Sequence, residues 1–331
     1  MKRLFHLSTT SKQLDLFDKD WEQIKGFIEK NRMDGIEVGL TLDYPLEQIP
    51  AGIVEGVHLS FYPMWLDFWR QDQVKLQQLF EDEEAIKSYY GGLEPAVLIE
   101  SYKKQYRRAK ALGAKYMVFH VSHVLPEDSF TWQFDYTDQE VMEATLELVN
   151  AVFEAEEDGP MLLFENLWWP GLTYLNPELT QWFIEGVQYK NKGYLVDVSH
   201  LTLTNATIGN EKQAYEYIKK VITQLGETKR WIKAVHLNKA LPKFYMGRNH
   251  HYLLEQYQKA KDKKQQLMIL KKHINALDGH VPFDHPLAAS ILELMDPMYC
   301  VYETAPSSRY ELAYFIKCQN EALKMMTNKN D

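Results

Sequence analysis

The sequence predicts an α/β fold in which eight parallel strands close into a (β/α)8 barrel, and three observations support this prediction. Short apolar runs of the kind that form buried parallel strands occur eight times along the chain. Segments with helical periodicity separate most of these runs, an alternation typical of an all-parallel sheet. No Gly-rich phosphate loop follows the first run, which disfavours an open, doubly wound sheet. We therefore interpret residues 1–331 as one barrel domain.

The predicted strands are short, and most of them end at or near a polar residue. In chain order they are residues 3–8, 35–40, 56–60, 115–121, 161–166, 193–200, 231–237 and 298–303. The sixth strand begins as an apolar run, Gly-Tyr-Leu-Val, and ends in a carboxylate and an imidazole, Asp197 and His200. A single strand of this kind is consistent with a capped turn, so the argument depends on whether the pattern recurs.

Helices are predicted between the strands from apolar spacing and from capping residues. Residues 18–31 carry apolar side chains at the helical period, and residues 64–90 form a helical, aromatic-rich stretch that Gly91-Gly92 breaks. Thr137 is predicted to cap the helix 137–159, with Glu140 completing a capping box. The other predicted helices are residues 94–112, 176–189, 211–225 and 308–326.

Composition sets bounds on the class of protein. The formal net charge of −9 gives no general sign of a nucleic-acid-binding protein, although a local basic patch is compatible with it. The two cysteines, Cys300 and Cys318, are too few for a disulfide framework and form no metal-binding spacing. With no signal peptide and no run long enough to cross a bilayer, we expect a cytoplasmic protein without a membrane partner.

Histidine, glutamate or aspartate recurs at the carboxyl ends of six consecutive predicted strands. These residues are His58, His120, Glu165, Asp197 with His200, His236 and Glu303. The carboxyl ends of barrel strands form the rim on which active sites are built. So many imidazoles and carboxylates together are costly unless cations bind, so a divalent metal site is predicted. Mixed His and carboxylate ligands suit zinc, manganese or iron better than calcium.

At these positions the sequence resembles the xylose isomerase-like TIM barrels and, within them, endonuclease IV. The resemblance is carried by short motifs around the polar residues. They are His58 in Val-His-Leu-Ser-Phe-Tyr, His120 in Val-Phe-His, Glu165 in Leu-Leu-Phe-Glu-Asn, Asp197 and His200 in Asp-Val-Ser-His, His236 in His-Leu-Asn, Asp278 and His280 in Asp-Gly-His, and Glu303 in Glu-Thr-Ala-Pro. The similarity spans most of the chain and is weak outside these motifs.

The resemblance implies a site of two or three divalent ions, with zinc expected and manganese or iron as alternatives. His58 and His120 would hold one ion, Asp197, His236 and Glu303 a second, Glu165 would bridge these two, and His200, Asp278 and His280 would hold the third. The implied activity is that of a phosphoesterase, in which a metal-bound hydroxide attacks phosphorus. The implied partner is a small phosphorylated molecule or a nucleic acid.

A long insertion departs from the family pattern. Residues 239–277 lie between the seventh strand and the Asp-x-His motif and contain nine Lys or Arg and two acidic residues, a net charge of +7. Leu267, Leu270, Ile274 and Leu277 give part of it an amphipathic helical face. The insertion is therefore either a basic lid that attracts a polyanion, or a solvated helix or oligomer contact. Because this loop and residues 167–171 differ from endonuclease IV, cleavage of abasic DNA does not follow from the ligands.

A second function stays open, a divalent-metal isomerase or epimerase acting on a sugar or sugar phosphate. Such enzymes resemble the chain at Glu165, Asp197, His236 and Glu303, with Glu165 or Glu303 as the acid/base residue and His200 touching the substrate. A binding barrel without catalysis ranks last, because no ligand is missing. Aromatic residues in the rim loops either stack on a substrate or roof the core; these are Phe61, Tyr62, Trp65, Trp168 and Trp169.

Overall fold

Eight parallel strands pair in chain order, and the last strand pairs with the first to close a barrel. In this computed structural model the described residues are 1–154, 156 and 158–324. The strands are β1 (Lys2–Ser8), β2 (Gly35–Gly39), β3 (Val54–His58), β4 (Tyr116–His120), β5 (Met161–Glu165), β6 (Lys192–Asp197), β7 (Ile232–His236) and β8 (Tyr299–Tyr302). The predicted (β/α)8 fold is confirmed.

Helices surround the barrel and connect its strands. They are α1 (Ser11–Leu14), α2 (Trp21–Lys30), α3 (Leu66–Trp69), α4 (Gln73–Leu79), α5 (Glu83–Tyr90), α6 (Ala96–Ala111), α7 (Asp128–Thr131), α8 (Asp138–Phe153), α9 (Pro177–Gly186), α10 (Val198–Leu203), α11 (Glu211–Gln224), α12 (Lys243–Met246), α13 (His251–Gln258), α14 (Lys263–Leu277), α15 (Leu287–Met295) and α16 (Arg309–Lys324). Among the described residues, none of these helices has the length and apolarity needed to cross a bilayer.

Two predicted helices differ from the structure. The stretch 64–90 is three short helices, because Asp72 and Asp82 accept hydrogen bonds from backbone N–H groups and so begin new helices. Helix α8 begins at the predicted capping box of Thr137 and Glu140, but it ends at Phe153 rather than near residue 159. The predicted end of the last helix at residue 326 lies outside the described residues.

The barrel interior is layered, and this layering positions the rim residues. Successive side chains of a strand point to opposite faces, so residues two apart share a face. A buried layer inside the barrel includes Val118, Leu163, Leu195 and Ala234. Each of them lies two residues before a candidate ligand, namely His120, Glu165, Asp197 and His236 respectively. The four ligands therefore share the inner face, directly above this apolar layer.

The strand register brings the same residues level with one another. His120 pairs with Glu165 across β4 and β5, and Asp197 pairs with His236 across β6 and β7. The larger apolar core lies between the barrel and its helices and includes Phe119, Phe164 and Val196. The polar residues at the carboxyl ends of the strands thus lie on a barrel that is packed with apolar side chains both inside and against its helices.

Candidate metal centre

Glu165 is the centre of the rim cluster. Its Oε2 lies 3.2 Å from Nε2 of His58 and 3.2 Å from Nε2 of His120. Its Oε1 lies 3.3 Å from Nδ1 of His200 and 3.3 Å from Nδ1 of His236. The side chain is fully buried. One carboxylate therefore presents its two oxygens to two different pairs of imidazoles.

A second group of candidate ligands shares Glu165 with the first. His236 Nδ1 lies 2.6 Å from Oε2 of Glu303 and 3.6 Å from Oδ2 of Asp197. Ligand atoms of Glu165, Asp197, His236 and Glu303 all lie within 4.8 Å of one another, and the same holds for His58, His120 and Glu165. Two adjoining donor sets with Glu165 in common are therefore assembled.

The third predicted set is less compact. Asp278 Oδ2 lies 3.1 Å from Nε2 of His200 and 3.1 Å from Nε2 of His280. Among the described residues, however, these three do not form a group whose ligand atoms all lie within 4.8 Å of one another. His280 has φ of 44°, a left-handed backbone conformation that is uncommon for a residue with a side chain. Asp278 therefore lies close to both imidazoles, but the ligand atoms of this set are farther apart than those of the other two sets.

Buried polar atoms without partners test whether the cluster fits a metal. Within the described part of the chain, both carboxylate oxygens of Glu165, Nδ1 of His120, Nδ1 of His236 and Oε2 of Glu303 are buried without hydrogen bonds. Such groups are rare in folded proteins because burying them unpaired is costly. Imidazole nitrogens and carboxylate oxygens are the usual ligands of zinc and similar ions. The donor set therefore fits divalent metal ions.

The electrostatics of the cluster favour added positive charge. Burial acts to lower the pKa of His58, but Glu165 outweighs it and raises that pKa to about 9. Burial acts to raise the pKa of Glu165, but His120 and His236 beside it hold it well below its usual range. Glu165 thus stays ionised, and its negative charge favours protonated imidazoles or metal cations beside it.

Neighbouring polar groups fix the direction of Asp197. Its Oδ1 accepts hydrogen bonds from Oγ of Ser199 at 2.9 Å and from the backbone N–H of His200 at 2.8 Å. Its Oδ2 accepts one from Nδ2 of Asn238 at 3.0 Å. Oγ of Ser199 also lies 2.9 Å from Oδ1 of Asp278, so its single proton is shared between the two carboxylates and links the second and third sets. Such outer contacts orient metal ligands and tune their affinity.

Sequence reasoning missed Glu37, a fully buried carboxylate in β2. Its two oxygens lie 3.1 Å and 3.2 Å from Nε2 of His236, and Tyr116 donates a hydrogen bond to Oε2 at 2.8 Å. Burial acts to raise the pKa of Glu37, but His236 outweighs it and lowers that pKa to about 2. The only sequence signal was a single carboxylate inside an apolar strand, Gly-Ile-Glu-Val-Gly.

Gly56 makes the approach of Tyr116 to Glu37 sterically feasible. A Cβ atom at Gly56 would lie 2.2 Å from the ring of Tyr116. A side chain there would push the phenol away and remove one hydrogen bond from the buried carboxylate. Gly56 and Tyr116 together therefore keep Glu37 in place, and Glu37 in turn contacts Nε2 of His236.

A cavity of about 690 Å³ opens above the cluster, and we call it the rim cavity. Its lining includes six of the nine candidate ligands, which are His58, His120, His200, Asp278, His280 and Glu303. Three of the aromatic residues considered from the sequence, Phe61, Trp168 and Trp169, also line it. Trp65 instead packs in the core and donates a hydrogen bond to the backbone of Ser122. Trp65 thus packs in the core, whereas Phe61, Trp168 and Trp169 face the cavity, where stacking on a substrate stays a prediction.

Comparison with known proteins agrees with the fold and with the motifs. Residues 54–308 match the family model described as the xylose isomerase-like TIM barrel, which is well over half of the chain. The chain belongs to this family. The resemblance inferred from the seven motifs is therefore confirmed at the level of the family. No curated protein matches the sequence.

Solved structures of the xylose isomerase-like TIM barrel fold resemble the chain along nearly its whole length. An L-ribulose 3-epimerase is 12% identical with a TM-score of 0.54, covering 98% of this chain and 96% of that one. A 3-keto-D-glucoside 4-epimerase from E. coli is 12% identical with a TM-score of 0.52, covering 97% and 98%. Endonuclease IV from Thermus thermophilus is 15% identical with a TM-score of 0.49, covering 98% and 100%. At such identities the likeness to the two epimerases shows a shared fold alone.

Proposed function

We propose that the protein is a metal-dependent phosphoesterase that holds at least two divalent ions around Glu165. One observation carries the proposal: Oε2 of Glu165 faces His58 and His120, while its Oε1 faces His236 of a second donor set. A carboxylate shared in this way suits the bridging position of a two-ion site. A single-ion isomerase has no need of His58 and His120.

In this proposal each donor set has a defined task. His58, His120 and Glu165 would hold one ion, and Asp197, His236 and Glu303 with Glu165 would hold another, with zinc favoured by the ligand types. Bound ions of this kind supply a nucleophile at neutral pH and take up the charge that develops on phosphoryl oxygens. Asp278 and His280, with His200, remain candidates for a third ion.

In this proposal the protein's own side chains position the substrate and the metal ligands. His200 and Glu303 line the rim cavity, so both are placed to touch a substrate there. Trp168 packs against the ring of His200, with ring centroids 5.1 Å apart, which limits the movement of that imidazole. Ser199 and Asn238 keep Asp197 pointing into the cluster.

The second candidate is a divalent-metal sugar isomerase or epimerase, and one observation favours it. Glu165 and Glu303 both approach Nδ1 of His236, at 3.3 Å and 2.6 Å. Two carboxylates beside one ion can exchange a proton with a hydroxy-ketone, and the more open third set is not needed for that chemistry.

Paired assays on protein loaded with zinc or manganese separate these candidates. Hydrolysis of bis(p-nitrophenyl) phosphate is expected if the proposal is correct, because this diester needs no specific recognition. Interconversion of keto-sugars at C2 or C3 without any phosphoester cleavage would overturn the proposal and support the epimerase.

Replacing Glu37 with Gln is expected to weaken metal affinity by about 10- to 100-fold, because His236 loses the carboxylate that orients its ring. Titration of the metal-free protein with zinc against a competing chelator measures this change. The melting temperature of the metal-free variant provides the second readout. A Glu37→Gln variant that loses stability but keeps the wild-type zinc affinity would show that Glu37 has a structural role only.

A further inference from the structure

Apolar side chains form much of the lining of the rim cavity, and we call them the apolar wall. Three loops and one helix of the insertion contribute to it. The loop after β3 gives Phe61, the loop after β4 gives Leu125, the loop after β5 gives Trp168, and α14 gives Leu267, Leu270 and Ile274. A cavity of about this size suits a single small molecule rather than a polymer.

Helix α14 separates its apolar and charged faces. Leu267, Leu270 and Ile274 recur at helical spacing and line the cavity. Lys263, Lys264, Lys271 and Lys272 are exposed and lie outside the lining. Part of the insertion therefore lines the rim cavity, and it presents leucine and isoleucine to the cavity instead of lysine.

His273 fixes α14 in this orientation. The ring is 1% exposed, and its Nε2 lies 2.8 Å from the backbone oxygen of Ser129 in α7. Its Nδ1 lies 2.9 Å from the hydroxyl of Tyr245 in α12, and its ring stacks on Phe130 with centroids 4.4 Å apart. Because His273 is buried and contacts both α7 and α12, it holds α14 in place, and the helix forms part of the cavity wall.

The charges in the lining limit the number of anionic groups that a ligand can carry. No Lys or Arg among the described residues lines the rim cavity. Apart from the histidines and carboxylates of the rim, its polar side chains are uncharged: Ser8, Thr41, Ser60, Tyr89 and Ser129, together with the indole N–H groups of Trp168 and Trp169. An anionic group placed against Leu267, Leu270 and Ile274 of α14 would therefore be desolvated without a cationic side chain of the lining beside it, which is unfavourable.

We propose that the rim cavity takes a small phosphoester with a single anionic group at the metal cluster and an apolar or aromatic body beneath α14. This inference rests on the proposed phosphoester chemistry and names its substrate class. The body packs against Phe61, Trp168 and Leu270. Oligonucleotides and molecules with several phosphates are excluded, since every further phosphate would meet the apolar wall.

Hydroxamates test the cavity independently of the reaction, because they bind protein-held zinc through the same head group whatever the substrate. Acetohydroxamate, benzohydroxamate and 4-carboxybenzohydroxamate differ only in the body that faces α14. Titration calorimetry on the zinc-loaded protein is expected to show that benzohydroxamate binds at least about tenfold more tightly than acetohydroxamate. The added carboxylate of the third probe is expected to remove at least that gain.

Three substitutions in α14 make the test more specific. Leu270→Lys places a cation in the wall, so the ranking should reverse and 4-carboxybenzohydroxamate should bind more tightly than benzohydroxamate. Met268→Lys adds the same charge at a side chain that is 65% exposed and outside the cavity, so the wild-type ranking should persist. Leu270→Ser, which adds no charge, should lose the aryl preference without reversal.

The outcomes separate this inference from the proposed function. Equal affinities of the three probes in the wild type, failure of all three to bind, or an unchanged ranking in Leu270→Lys would overturn the inference. If the protein prefers the aryl probe but cleaves no phosphoester, the proposed chemistry is rejected. The inference that the cavity binds a ligand with one anionic group and an apolar body would then still stand.

Discussion

Replacing Glu165 with Gln is expected to lower phosphoester hydrolysis by at least about 10³-fold and to remove both ions. Gln keeps the shape of the side chain, but it has no negative charge and only one oxygen, whereas the structure has two oxygens facing two pairs of imidazoles. Elemental analysis and the rise of the melting temperature on adding zinc measure the loss, because a ligand that binds the folded state stabilises it.

Glu55→Gln is the matched control for this substitution. Glu55 is also a buried carboxylate, 6% exposed, but it lies near the start of β3 and binds Nζ of Lys2 at 2.6 Å, at the opposite end of the barrel. This variant should keep the wild-type metal content and activity. A Glu165→Gln variant that retained two ions and full hydrolysis would show that Glu165 does not bridge the donor sets.

Replacing His120 with Ala is expected to reduce the metal content by one ion and hydrolysis by about 10²- to 10³-fold. The substitution removes a ligand of the first set and leaves Asp197, His236 and Glu303 in place. A phosphoesterase needs the lost ion to neutralise charge on the scissile group, whereas a single-ion epimerase would keep its proton-transfer site.

The exposed His251 of the insertion provides the control, since His251→Ala removes an imidazole far from any donor set. It should behave like the wild type in both assays. Full sugar-epimerising activity in His120→Ala, together with no phosphoester cleavage by the wild type, would contradict the phosphoesterase proposal. It would instead support the sugar isomerase or epimerase.

The barrel and much of the cluster were predictable from the sequence, because strand ends in a barrel share one rim. His120, Glu165, Asp197 and His236 each end an apolar run, so their convergence followed from topology alone. The distances between them depend on strand register, which the pattern of a single sequence does not specify for strands buried on both faces.

Other features depend on contacts between distant segments. Glu37 was missed because a lone carboxylate in a short strand does not reveal that His236, 199 residues away, lies against it. The insertion was recognised as basic and amphipathic, but its composition hid which face would meet the cavity. That orientation is set by His273 and its contact with Ser129, which no local pattern encodes.

The metal content of the wild-type protein tests the central claim most directly. Protein purified without added metal, and the same protein after saturation with zinc or manganese and removal of free ions, should be analysed for metal per chain. The shared position of Glu165 between His58 and His120 on one side and His236 on the other predicts at least two ions per chain after saturation. A protein that holds at most one ion under these conditions would contradict the account.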